Sequence, residues 1–125
     1  MEKILIVDDS PTESYVISKM LKEYGYSVVE AENGYDGIKI AKQEKPDIIL
    51  MDVVMPGING YQTTRRLNRD PDTKSIPVII VTTKNQHSDK VWGLRQGAQD
   101  YLTKAVVKSD LIASIKNAIE NNSLH

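Results

Sequence analysis

The most constraining feature of this sequence is an alternation between short apolar runs and longer segments of helical period. The runs are Ile4-Leu5-Ile6-Val7, Val28-Val29, Ile48-Ile49-Leu50-Met51 and Val78-Ile79-Ile80-Val81, with a weaker fifth at Tyr101-Leu102-Thr103. Three of them hold four consecutive apolar residues with no polar alternation. That suits strands buried on both faces, as in a parallel sheet covered by helices, and the runs are too short to be helices.

The intervening segments carry helix signals. Ser10-Pro11-Thr12-Glu13 supplies an N-cap serine, a proline at the first helical position and a glutamate at the third, the pattern of a capping box. Val16, Ile17, Met20, Leu21 and Tyr24 follow at helical spacing, and Gly25 is a stop signal. A second helix is predicted from about Tyr35 to Lys45 with Ile38 and Ala41 inward, before Pro46. A third runs from about Gly60 to Arg69, ahead of Asp70-Pro71. A fourth starts near Ser88-Asp89 and stops at Gly97, with Val91 and Leu94 inward. The last spans about Ser109 to Asn121, turning Leu111, Ile112, Ile115, Ala118 and Ile119 inward. Repeated strand–helix units predict an α/β fold with a doubly wound parallel sheet.

Composition narrows the function classes. A chain of 125 residues is one domain with a real core, so residues 1–125 are expected to form a single unit with no attached output domain. The charge is −1, which gives no basis for nonspecific nucleic-acid or membrane-surface binding. There is no cysteine, hence no disulfide, thiol nucleophile or Cys-ligated zinc. The short apolar run after Met1-Glu2-Lys3 is too brief for a signal peptide or membrane span. A cytoplasmic protein is the expectation.

In a doubly wound sheet the site lies beyond the carboxyl ends of the strands. Strand 1 leads into Asp8-Asp9, strand 3 into Asp52, strand 4 into Thr82-Thr83 and strand 5 into Lys104. Three carboxylates, a hydroxyl and an ammonium should therefore converge on one rim. The carboxylates repel one another, and a hard divalent cation relieves that repulsion. Oxygen ligands admit Mg²⁺, Mn²⁺ or Ca²⁺; few protein ligands and open positions favour Mg²⁺, which keeps waters and takes phosphate oxygens. A carboxylate can itself accept a phosphoryl group. Asp52, on a central strand and followed by inert Val53 and Val54, is the best acceptor, with Lys104 and Thr82 able to contact phosphate oxygens. Taken singly, each of these residues has a plainer reading: a solvated loop pair, a turn cap, a strand threonine, a surface lysine. Their combination at four strand ends is what carries the argument.

These residues resemble the response-regulator receiver domain. The matching segments are Ile6-Val7-Asp8-Asp9-Ser10, the stretch from Leu50 to Gly60 around Met51-Asp52-Val53-Val54-Met55-Pro56-Gly57, Pro77 to Thr82, and Gly97 to Lys104. The resemblance covers essentially the whole chain. It implies a flavodoxin-like three-layer (βα)5 sandwich with strand order 2-1-3-4-5. It implies that Asp52 accepts phosphate from a histidine kinase and that Asp9, Asp52 and the Val54 backbone carbonyl hold Mg²⁺, with Asp8 acting through water. It further implies that Lys104 and Thr82 contact the phosphoryl group, and that Tyr101 moves inward as Thr82 moves toward the phosphate. The output would be a changed helix 4/strand 5/helix 5 face, read by a downstream protein. Thr82-Thr83-Lys84 and Asp89 to Ala98 resemble the single-domain regulators of type IV pilus twitching motility, which implies a pilus motor or other motility component as target.

One residue departs from the pattern. The family usually has proline after the lysine, with a cis peptide between them, and here Ala105 follows Lys104. Cis bonds before other residues are much less favourable than before proline, so the bond is either cis or trans with Lys104 re-aimed. The expectation drawn from it is weaker phosphorylation or switching than in a proline version. It also keeps alive a second class, a binding module that works without phosphorylation.

A turnover enzyme fits less well. An aspartate-nucleophile phosphatase needs a second carboxylate two residues on, where Val54 stands, and Asp8-Asp9 would repel a flavin phosphate. Trp92 is expected to be partly exposed, Tyr35 and Tyr61 to be surface or rim residues, and His87 to lie solvated in the loop after strand 4.

Overall fold

The computed structural model describes residues 2–123. Ten elements alternate along the chain: β1 Lys3–Val7, α1 Pro11–Tyr24, β2 Ser27–Ala31, α2 Gly34–Glu44, β3 Ile48–Met51, α3 Gly60–Arg69, β4 Val78–Thr82, α4 His87–Arg95, β5 Asp100–Thr103 and α5 Lys108–Ser123. The strands form one parallel sheet in the order β2-β1-β3-β4-β5. This is the flavodoxin-like order that the resemblance implied.

Strand alternation divides the core in two. Leu5, Val7, Ile49, Met51, Val78 and Ile80 face one side, where Ala41 of α2 and Tyr61 and Leu67 of α3 meet them. Ile4, Ile6, Ile48, Leu50, Ile79 and Val81 face the other, against Ile17 and Leu21 of α1 and Leu111, Ile112, Ile115 and Ala118 of α5. The uninterrupted apolar runs are thus the signature of a sheet with no wet face. Truncating a fully buried residue such as Leu50 to alanine in such a layer costs about 2–5 kcal/mol.

Local signals set the helix ends. Ser10 caps α1, its hydroxyl accepting from the Glu13 N–H at 3.3 Å, with Pro11 at the first position. Gly25 closes α1 at φ 110°, a left-handed conformation that glycine adopts without steric cost. The capping box at Ser10 is only half formed, because the Glu13 carboxylate turns to Lys104 instead of the Ser10 N–H. Helix α2 begins one residue earlier than predicted, at Gly34, and Lys45 is its left-handed C-cap at φ 48°. Helix α5 starts at Lys108 and runs two residues past Asn121.

Helix α4 departs most from the sequence reading. Val91 is half-buried and Leu94 is 40% exposed; the buried residue is Gly93. A Cβ at Gly93 would lie 2.8 Å from Ile80 Cδ1 and 2.9 Å from Tyr101 Cδ2. The helix is seated by backbone against the sheet, so its apolar side chains do not mark the contact. His87 is the first residue of α4 and not a loop residue, although it is exposed as expected.

Candidate functional site

The parallel register brings the strand ends to one rim. Val7 pairs with Met51, Met51 with Ile80, and Thr82 with Thr103. The residues that follow continue the ladder: the Asp8 N–H donates to Ala31 O, the Asp52 N–H to Val7 O and the Lys104 N–H to Thr82 O, at 3.0, 2.9 and 2.8 Å. Asp8, Asp52, Thr82 and Lys104 are therefore positioned by backbone hydrogen bonds of the sheet itself. Asp8 and Asp52 are only 5% and 8% exposed, and Thr82 is fully buried.

Lys104 is the centre of the charge cluster. Its Nζ donates to Asp8 Oδ2 at 2.8 Å and to Glu13 Oε2 at 2.7 Å, and stands 3.6 Å from Asp52 Oδ2. The Lys104–Ala105 peptide is cis, and the ammonium points into the acidic rim. Asp8 Oδ1 accepts from the Ser10 N–H, and Asp52 Oδ1 from the Val53 N–H. Asp52 Oδ2 is left facing Lys104.

Burial dominates the electrostatics. It pushes Asp52 above the usual carboxylate range; Lys104 pulls it down, Asp8 pushes it further up, and the hydrogen bond from the Val53 N–H pulls it down. For Lys104 burial works against the charge, but hydrogen bonds to Asp8 and Glu13, with the charges of Asp52 and Asp8, raise it above its ordinary value. The ammonium thus stays protonated while it neutralises a crowded acidic pocket.

Sequence reasoning missed Glu13 as a member of this site. Carboxylate oxygens of Asp8, Glu13 and Asp52 all lie within 4.8 Å of one another. That set of oxygen donors, short of a full coordination sphere, fits a hard divalent cation such as Mg²⁺. Asp9, expected as a metal ligand, is exposed and is not one of the three converging carboxylates, and Val54, two residues after Asp52, is 62% exposed. The pattern Ser10-Pro11-Thr12-Glu13 pointed to a cap, and only the fold reveals that Glu13 also reaches Lys104, 91 positions away.

Two further residues shape the rim. Gly60 opens α3 with its N–H bonded to Val53 O, and a Cβ there would lie 2.0 Å from the Asp52 carbonyl oxygen. Only glycine lets α3 close on the loop that follows Asp52. Tyr101 is buried, and its hydroxyl donates to Lys84 O at 2.8 Å. Tyr61, expected at the rim, is buried too: its hydroxyl lies 3.3 Å from that of Tyr101 and donates to Asp89 O. The reason is that α3 turns Tyr61 under α4, where it joins the core. Tyr35 is exposed as expected, beneath the Arg66 guanidinium. A hollow of about 950 Å³ between α1 and α2 meets the acidic rim at Asp8.

Residues 4–116 match the response regulator receiver domain family. The chain belongs to that family. Receiver domains are signalling modules of two-component systems, and the acidic rim of this one is compatible with Mg²⁺. The chain is 60% identical over 119 residues to protein PilH of Pseudomonas aeruginosa, across 95% of this chain and 98% of that protein. Among solved structures, a putative response regulator from Chloroflexus aurantiacus superposes with a TM-score of 0.91 at 33% identity, covering 95% of this chain and 98% of that one. The receiver domain of a Pseudomonas aeruginosa sensor histidine kinase, solved with a magnesium ion coordinated in its active-site cleft, gives 0.88 at 30% identity, with the same coverage. Among the described residues of this receiver, no helix is long and apolar enough to cross a membrane.

Proposed function

We propose that this receiver takes a phosphoryl group from a histidine kinase onto Asp52 and signals by protein contact. The observation that carries this is the meeting of Lys104, which follows β5, with Asp8 and Asp52 after β1 and β3 and with Glu13 in the first turn of α1. Asp52 Oδ2 attacks the phosphorus of a phosphohistidine; the new O–P bond forms as the P–N bond breaks, and the imidazole leaves with the electron pair. Lys104 Nζ then moves from its carboxylate partners to a phosphoryl oxygen, and the Thr82 hydroxyl donates to another. Asp9, Asp52 and the Val54 carbonyl would hold Mg²⁺ directly and Asp8 through water, with Glu13, whose carboxylate lies within 4.8 Å of those of Asp8 and Asp52, as a further oxygen donor. When bound, Mg²⁺ supplies positive charge to the phosphoryl oxygens. The chain speeds its own phosphorylation and hydrolysis without acting as a turnover enzyme.

The switch runs through Thr82 and Tyr101 to the α4/β5/α5 face. Similarity to PilH supports a role in type IV pilus twitching motility, with a pilus motor or motility component downstream. The test is phosphotransfer from purified, phosphorylated histidine kinases of the source organism. Label should move to the native chain and not to Asp52→Asn. If no kinase transfers label while the chain still binds its target, the protein is a binding module that works without phosphorylation.

A further inference from the structure

Helices α3 and α4 form a second polar feature on the side of α4 away from β5. Arg65, Asn68 and Arg69 on α3 face Trp92 and Arg95 on α4 and its C-cap Gln96, and these six residues line a cleft of about 250 Å³. Each set has the i, i+3, i+4 spacing of one helical face. The walls are tied together, because Asn68 Nδ2 donates to Gln96 O at 2.8 Å. Gly97, at φ 108°, makes room for that amide: a Cβ there would lie 1.4 Å from Asn68 Nδ2. The cleft is thus a built feature and not a gap between loose side chains.

Its charge is one-sided. Three guanidinium groups line it and no carboxylate does. Among the described residues Arg65, Arg69 and Arg95 have no ion-pair partner. Arg66, by contrast, stacks on Tyr35. The chain as a whole carries −1, so this excess is local. Trp92 is 49% exposed at the mouth, with an indole available for contact. Tryptophan and arginine are the side chains that most often dominate protein–protein interfaces. The cleft is smaller than the roughly 300–1,000 Å³ typical of small-molecule pockets, which favours a protein segment over a free ligand.

We propose that the α3–α4 cleft docks an acidic segment of a partner protein. Carboxylates of the segment pair with Arg65, Arg69 and Arg95, and an apolar side chain covers Trp92. The cleft lies on the α3 side of α4 and shares that helix with the α4/β5/α5 face.

Trp92 is the single tryptophan of the chain, so its fluorescence reports on the cleft directly. The probe is a short synthetic peptide alternating glutamate and leucine, titrated into the full chain at low salt. A saturable fluorescence change is expected. It should weaken about tenfold in the Arg69→Ala/Arg95→Ala double variant, weaken with added salt, and be absent with a lysine–leucine peptide. Lys19→Ala/Lys39→Ala, at residues that line the hollow between α1 and α2 and not this cleft, serves as the control and should leave the affinity unchanged. Circular dichroism confirms that both variants fold. The proposal is overturned if no saturable change occurs, if the arginine variant binds as well as the native chain, or if ATP binds more tightly than the peptide.

Discussion

The Lys104 ammonium lies 2.7 Å from Glu13 Oε2 and joins the first helix to the last strand across the acidic rim. The same ammonium holds Asp8 at 2.8 Å. A divalent cation bound by Asp8, Glu13 and Asp52 would compete with Lys104 for the same carboxylate oxygens.

Removing the competing charge should tighten metal binding. Lys104→Met leaves Asp8, Glu13 and Asp52 without their ammonium, and like charges at this spacing favour a cation. Calorimetric titration with Mg²⁺ is expected to give about tenfold higher affinity for this variant, equivalent to about 1.4 kcal/mol. The same variant should be phosphorylated more slowly, because no group then neutralises the phosphoryl oxygen. Unchanged Mg²⁺ affinity would mean that Lys104 does not occupy the metal's place.

Gly93 should not tolerate a side chain. The Cβ of Gly93→Ala would press on Ile80 and on the Tyr101 ring, and overpacking of this kind costs about 1–3 kcal/mol. Urea unfolding measures the loss. Tyr101→Ala on the same background should recover part of it relative to the sum of the two single changes, since one of the two obstructing groups is gone.

Tyr101 should resist ionisation. Burial, followed by the hydrogen bond to Tyr61 and the charges of Asp89 and Asp52, pushes its phenol well above the ordinary value of about 10. A group whose folded pKa is raised stabilises fully below its unfolded pKa, and that contribution fades as pH rises through the folded one. Stability is therefore expected to fall above about pH 10. Tyr101→Phe loses the bond to Lys84 O, costing about 1 kcal/mol at neutral pH, and should show a shallower alkaline decline. Denaturant melts across that pH range check both points.

Much of this was legible in the chain. The runs at Ile4–Val7, Ile48–Met51 and Val78–Val81 read as doubly buried strands, and with the weaker run Tyr101–Thr103 they put Asp8, Asp52, Thr82 and Lys104 on one rim. What escaped was long-range. Glu13 satisfies a local capping pattern, and nothing near it in sequence announces a lysine 91 positions on. Tyr61 carries a hydroxyl that suits the surface, but Tyr101 and the Asp89 carbonyl satisfy it in the interior. Gly93 has no side chain to enter a periodicity, so the tightest contact of α4 left no hydrophobic mark.

The central claim is that Asp52 is the phosphoryl acceptor, and intact-mass spectrometry tests it most directly. The chain is incubated with acetyl phosphate and Mg²⁺, and the mass is compared with that of Asp52→Asn treated in the same way. The account predicts the gain of one phosphoryl group in the native chain, lost when Mg²⁺ is chelated beforehand and absent in Asp52→Asn. A phosphorylated Asp52→Asn, or an unmodified native chain, would contradict it.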